Sequence, residues 1–196
     1  MHEHTRNPGA TKCHRVPSVL TWGMTDAIPT LLTPRLTLRA LRAEDLDAFA
    51  AMHANPEVMK TLGTGVTRTR AETWDIMARM LGQWALRGYG MFAVVENASG
   101  RFIGRAGILH PYEWEGPELA YGLDQPYWGR GYATEAANIL HRWAFFQKQM
   151  PSLVSYVLPG NQASRNVLEK LGASCQGMTK LFGTVDAELW QHRTPG

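Results

Sequence analysis

Tyr127-Trp128-Gly129-Arg130-Gly131-Tyr132-Ala133-Thr134-Glu135-Ala136 places two glycines and an arginine directly ahead of an apolar helical pattern that runs to about Gln149. Just upstream, Glu118-Leu119-Ala120-Tyr121-Gly122-Leu123 reads as a strand. A strand, a glycine-rich turn and a helix start together make an anion cradle. Unpaired backbone N–H groups point outward there, and the helix dipole sets about half a positive charge behind them. Glycine lets the backbone approach a phosphate with no Cβ in the way. The expected ligand therefore carries phosphate or pyrophosphate. Taken alone, Gly129-x-Gly131 also fits an ordinary turn. It is a poor dinucleotide fingerprint, because Thr134 stands in the third glycine's place, and no P-loop run occurs in the chain.

Working outward, residues 36–41 alternate apolar and polar like a half-buried strand. A helix is predicted over residues 43–54, ended by Asn55-Pro56, and a second over 69–86, where Trp74, Met77, Ala78, Leu81 and Trp84 follow helical spacing. Strands at 91–96, 101–109 and 118–123 are separated by turn signals, which implies antiparallel hairpins. The helix from Tyr132 to about Gln149 carries a broad apolar face that includes Trp143, Ala144 and Phe146. A strand at 152–158, a helix from Asn161 closed by Gly172, and two strands turning at Gly183 complete the pattern. This order describes a mixed α/β (α+β) fold with a seven-stranded, mostly antiparallel sheet flanked by helices. The crossover helix makes the strands before and after it parallel. Trp74, Trp84 and Trp143 read as core, His141 as structural, and Glu135 as a charge on the first helical turn.

At 196 residues and 44% apolar composition the chain holds one globular domain, expected over 28–196, after an N-terminal extension at 1–27. A formal charge of +3 and a pI near 9.0 favour anionic ligands. No Lys/Arg stripe with interleaved aromatics occurs, so nucleic acid is not an expected partner. Cys13 and Cys175 lie far apart, which fits a reducing compartment, and the histidines stand in no metal-ligand spacing, so no metal is expected. No apolar run approaches the ~20 residues of a membrane span, and the polar start lacks a signal-peptide core. A cytoplasmic protein without a membrane partner is the expectation.

Three stretches carry a family resemblance: Leu32-Thr33-Pro34-Arg35-Leu36-Thr37-Leu38-Arg39, the Tyr127–Ala136 turn, and Asn161-Gln162-Ala163-Ser164-Arg165-Asn166-Val167-Leu168-Glu169-Lys170-Leu171-Gly172. In this order and spacing they resemble the GNAT superfamily of acyl-CoA-dependent N-acetyltransferases, particularly the branch that acetylates N-terminal amines of ribosomal proteins. The resemblance covers roughly residues 32–191. It implies acetyl-CoA as co-substrate and a primary amine as acceptor, either a protein N-terminus or a small molecule. It also implies parallel central strands that splay apart to admit the pantetheine arm.

Carried over residue by residue, the resemblance implies that Gly129, Arg130, Gly131, Tyr132, Ala133 and Thr134 hold the pyrophosphate, with Arg130 adding charge at the rim. The Leu123 N–H would polarise the thioester carbonyl, and Asn161 and Asn166 would contact the cofactor. Many members carry a tyrosine acid at the position of Leu168. Leucine donates no proton, so Ser164 is the implied acid, and Glu118 matches a frequent family base. An α-amine with a pKa near 8 is roughly one-tenth neutral at pH 7 and needs less help from a base than lysine does. Tyr112 and Trp114 lie in a loop that is placed to line an acceptor pocket. Trp128 stands where many members carry Gln or Arg, which leaves more of the holding to backbone amides. A homodimer that completes the acceptor cleft is compatible with this reading. The alternative is a non-catalytic acyl-CoA-binding or regulatory module on the same fold.

Overall fold

In the computed structural model, which describes residues 27–196 apart from 113 and 115, the chain runs β1 (Leu31–Leu32), β2 (Leu36–Arg39), α1 (Leu46–Ala54), α2 (Pro56–Met59), α3 (Arg70–Arg87), β3 (Met91–Glu96) and β4 (Phe102–Leu109). It continues through β5 (Glu118–Leu123), α4 (Tyr132–Arg142), β6 (Val154–Val157), α5 (Gln162–Lys170), β7 (Ser174–Leu181) and β8 (Val185–Gln191). The expected extension lies outside the described residues except for Ala27. The strands form one sheet in the order β1-β2-β3-β4-β5-β6-β8-β7, antiparallel throughout except for the parallel β5–β6 pair. The crossover through α4 dictates that parallel pair.

The sheet has eight strands where seven were expected. Thr33-Pro34-Arg35 turns the chain back on itself, so Leu31 and Leu32 pair with Leu38 and Thr37. The Thr33 N–H donates to the Leu36 carbonyl and the Leu36 N–H donates to the Thr33 hydroxyl oxygen, both at 2.9 Å, and these bonds close that turn.

The two faces of the sheet carry separate cores. Leu36, Leu38, Phe92, Ile103, Ile108 and Leu119 pack beneath α4, which contributes Ala136, Leu140 and the following Trp143. On the opposite face Met91, Ala93 and Ala120 meet Phe49, Met52 and Met77 from α1 and α3. Strand alternation assigns each residue of β5 to one face or the other.

Three local expectations change. Asn55 ends α1 but also caps α2, accepting from the Glu57 N–H at 2.9 Å while Pro56 occupies the first helical turn. Trp74 is 58% exposed, contrary to its reading as core. The buried stripe of α3 is Thr73, Met77, Met80 and Trp84, turned by one residue from the expected face. Thr73 enters the core because its hydroxyl bonds the Thr69 carbonyl at 2.9 Å and lies 3.2 Å from His53 Nδ1. The predicted single helix over 132–149 is α-helical only to Arg142 and then widens into a π turn over Trp143–Gln147. The wider turn keeps Trp143 and Ala144 buried and swings Phe146 outward.

Candidate active site

β5 and β6 bridge only at Glu118 and Val154 and then separate. In β5 the backbone groups of Leu119, Tyr121 and Leu123 point toward β6. Two hydrogen bonds record this direction: Ser155 Oγ donates to the Leu119 carbonyl at 2.7 Å, and the Trp128 indole donates to the Leu123 carbonyl at 2.7 Å. The N–H groups of Tyr121 and Leu123 therefore face the gap. A cavity of about 460 Å³ fills the gap and runs from the glycine turn to Glu118.

The glycine turn closes one end. Gly129 and Gly131 have φ of +73° and +79°, the left-handed region in which a side chain is costly. Gly131 caps α4 without a side chain, and the Glu135 N–H is bonded to the Gly131 carbonyl at 3.1 Å. The N–H groups of Tyr132, Ala133 and Thr134 precede that bond, so no helical carbonyl serves them. Gly129, Gly131, Tyr132, Ala133 and Thr134 all line the cavity. The Arg130 guanidinium lies 5.6 Å from the Tyr127 ring centroid and, unlike its neighbours in the turn, does not line the cavity.

A second cation here escaped the sequence reading. Arg35 donates to the Arg130 carbonyl at 2.8 Å, pairs with Glu135 at 2.6 Å, and stacks 4.6 Å from the Tyr132 ring centroid. Glu135 also accepts from the Thr33 hydroxyl at 2.6 Å and the Arg35 N–H at 2.9 Å. Burial raises its pKa, but these bonds prevail and hold the carboxyl below its ordinary range. Glu135 is thus a tie between the β1–β2 turn and the cradle. Trp128 lines the cavity but spends its indole N–H on the Leu123 carbonyl.

Along the gap, Asn161 caps α5 by accepting from the Ser164 N–H at 3.1 Å. Ser164 Oγ lies 2.9 Å from the Tyr121 hydroxyl. Burial pushes the Tyr121 hydroxyl up to about 12, against the effect of that hydrogen bond. Leu168 is fully buried beside Val157 and Trp190, and Tyr121 packs on the same cluster. A phenol therefore does reach Ser164, from β5 and not from α5. The sequence signal for it is parity, since Tyr121 shares the face of Leu119 and Leu123. Asn166 lines the cavity and accepts from Gln162 at 2.8 Å.

Glu118 stands at the apex of the splay. It is buried, on a strand flanked by β4 and β6. Burial raises its carboxyl to about 8, opposed by Arg105 and by a hydrogen bond from the Tyr156 N–H. Trp114 lines the cavity beside Tyr156 and Phe182, with ring centroids 5.3 and 5.7 Å away. Tyr112 is 93% exposed and takes no part in the cavity. His141 Nε2 donates to the Arg193 carbonyl, 2.8 Å away, and the ring rests against His192, consistent with a structural role. Among the described residues no group of three His, Cys, Asp or Glu side chains is placed to hold a metal.

The profile of the acetyltransferase (GNAT) domain matches residues 35–174 of this sequence. The chain belongs to the GNAT acetyltransferase family. An acetyltransferase structure from Agrobacterium tumefaciens is 35% identical, with a TM-score of 0.76 over 85% of this chain and 96% of its own. The uncharacterized N-acetyltransferase p20 of Bacillus licheniformis is 28% identical over 82% of this chain and 90% of its own length. RimL, a ribosomal L7/L12 α-N-protein acetyltransferase solved with coenzyme A, shares the fold at 18% identity, with a TM-score of 0.69 over 86% of this chain and 97% of its own. The GNAT chain is an N-acetyltransferase. No helix among its described residues is long and apolar enough to cross a membrane.

Proposed function

We propose that this enzyme transfers the acetyl group of acetyl-CoA to a primary amine, a small molecule or a protein N-terminus, by direct attack in the cytoplasm. One observation carries the reading: the gap between β5 and β6 joins the N–H cradle at Gly129–Thr134 to the buried Glu118 in a single cavity. The residues present fit the cofactor. Free N–H groups at a helix start suit a pyrophosphate, Arg35 and Arg130 add positive charge beside them, and the N–H groups of Tyr121 and Leu123 suit the amide-rich pantetheine arm.

Bound there, acetyl-CoA supplies an activated acyl group as its thioester. Every other contribution comes from the protein. The Leu123 N–H stabilises negative charge on the acyl oxygen, and one such donor is commonly worth about 3 kcal/mol. Glu118 takes, directly or through water, the proton that the neutral amine sheds as its nitrogen bonds to the acyl carbon. A carboxyl at about 8 is matched to an α-amine, whose own pKa is near 8. Ser164 gives its proton to the departing thiolate, and the Tyr121 hydroxyl at 2.9 Å returns one to it. A thiol leaves at a pKa of about 8.5, so a weak acid is sufficient.

Titration calorimetry tests cofactor choice: acetyl-CoA is expected to bind, whereas binding of ATP or NAD in its place would defeat the reading. Ser164→Ala and Tyr121→Phe test the acid. Each is expected to lower kcat by about 10- to 100-fold while leaving the KM for acetyl-CoA nearly unchanged. The double variant should be hardly slower than either single one, since both residues serve one proton path. An unaltered rate in Ser164→Ala would remove its role.

A further inference from the structure

Arg105 is a half-buried cation, and two of its nitrogens have no hydrogen-bonding partner among the described residues. It lies on β4 opposite Gly122 of β5, on the sheet face that also carries Glu118 and Ala120. Gly122 offers no side chain there. Leu62 and Met52 cover its position, with a Cβ on Gly122 falling 2.9 Å from Leu62 Cδ1 and 3.4 Å from Met52 Cε. The Arg105 side chain lines the cavity with Leu62, Thr61, Gly63 and Glu118. Its Nε and Nη1 are shut off from solvent and have no hydrogen-bond partner. Glu118 acts on it only at longer range, and among the described residues no carboxylate lies within ion-pair distance. His53, the other basic group nearby, is held neutral by burial first and by Arg105 and Arg68 after it, and its Nδ1 faces the Thr73 hydroxyl.

Two guanidinium nitrogens cut off from both water and partners are costly, and an anion received beside them would offset that cost. The planar fork of arginine matches a carboxylate better than any neutral acceptor. A protein N-terminus brings a peptide carbonyl next to its amine, and a free amino acid brings a carboxylate.

We propose that Arg105 selects the acceptor: it receives a carboxylate carried by a small amino-acid-like amine whose nitrogen is presented toward Glu118. This rests on the reading that an amine is acetylated in this cavity.

The test pairs each of a set of α- and ω-amino acids with its own carboxamide and measures kcat/KM at fixed acetyl-CoA. The wild-type enzyme is expected to prefer the best acid over its amide by on the order of 100-fold. In Arg105→Met the acid-to-amide ratio is expected to fall to about 3 or less. As a second readout, the preferred acid should raise the melting temperature of the wild-type protein more than its amide does, and Arg105→Met should erase that difference. Acids and amides reacting equally with the wild type would overturn the proposal and leave the acetyltransferase reading intact. A ratio retained by Arg105→Met would overturn it too. If that variant fails to fold, Arg105→Lys decides: loss of the fork should weaken the preference about tenfold, and an undiminished preference refutes it. If none of these acids and amides releases thiol while another primary amine does, this proposal falls and the acetyltransferase reading stands; if no amine at all releases thiol, both fall.

Discussion

Replacing Gly131 with glutamate is expected to raise the Kd for acetyl-CoA by on the order of 1000-fold, measured by titration calorimetry. Gly131 sits at φ +79°, immediately before the free N–H groups of α4. Its Cβ position is 3.4 Å from Arg35 Nη2, so a side chain there enters the one place where cradle and cation meet. The new carboxylate would compete with the pyrophosphate for the same amides and the same guanidinium. Backbone strain alone accounts for about 1–2 kcal/mol, which Gly131→Ala isolates. The alanine variant should therefore bind only about tenfold more weakly. An affinity unchanged in Gly131→Glu would show that the pyrophosphate lies elsewhere.

Glu118→Gln is expected to lower kcat/KM by about 100- to 1000-fold with acetyl-CoA binding retained. Glutamine keeps the shape and still accepts from the Tyr156 N–H, but takes no proton. The pH profile gives a sharper distinction. Burial raises Glu118 to about 8, so only about a tenth of the carboxyl is ionised and able to act as a base at pH 7. Activity should therefore rise with pH through about 8 and level off above it. An α-amine acceptor must also lose its proton near 8. Below that pH, log(kcat/KM) should climb with a slope near 2 in the wild type and near 1 in Glu118→Gln, because each required deprotonation adds about one unit of slope. Equal slopes in the two proteins would remove Glu118 from the base role.

Much of the frame could be read from local signals. The turn residues around 97–100 and the Arg87–Gly90 break bracket β3, and the Glu118–Leu123 strand has the same limits in sequence and structure. The cradle and the Asn161 cap were legible because each is built from neighbours in the chain. The parts that were not legible depend on distant partners. Arg35 and Glu135 meet across 100 residues, and Tyr121 and Ser164 across 43, so no spacing rule connects them. Nothing local marks Glu118 as buried, because β6, far along the chain, covers it. Arg105 looks like any strand arginine until Gly122 and Leu62 place its head in the cavity. On α3 the error was one residue of rotation, caused by a threonine hydroxyl that finds its partners within the helix and on His53.

The central claim, that this cavity carries acetyl transfer to an amine, is tested most directly by incubating the protein with acetyl-CoA and a panel of amines, including free amino acids and peptides with free N-termini. Free thiol and N-acetyl product are quantified together. The account predicts that at least one amine releases thiol in amounts equal to its N-acetyl product, and that Glu118→Gln suppresses both. Tight binding of acetyl-CoA with no amine raising thiol release would contradict it and leave an acyl-CoA-binding module on the same fold.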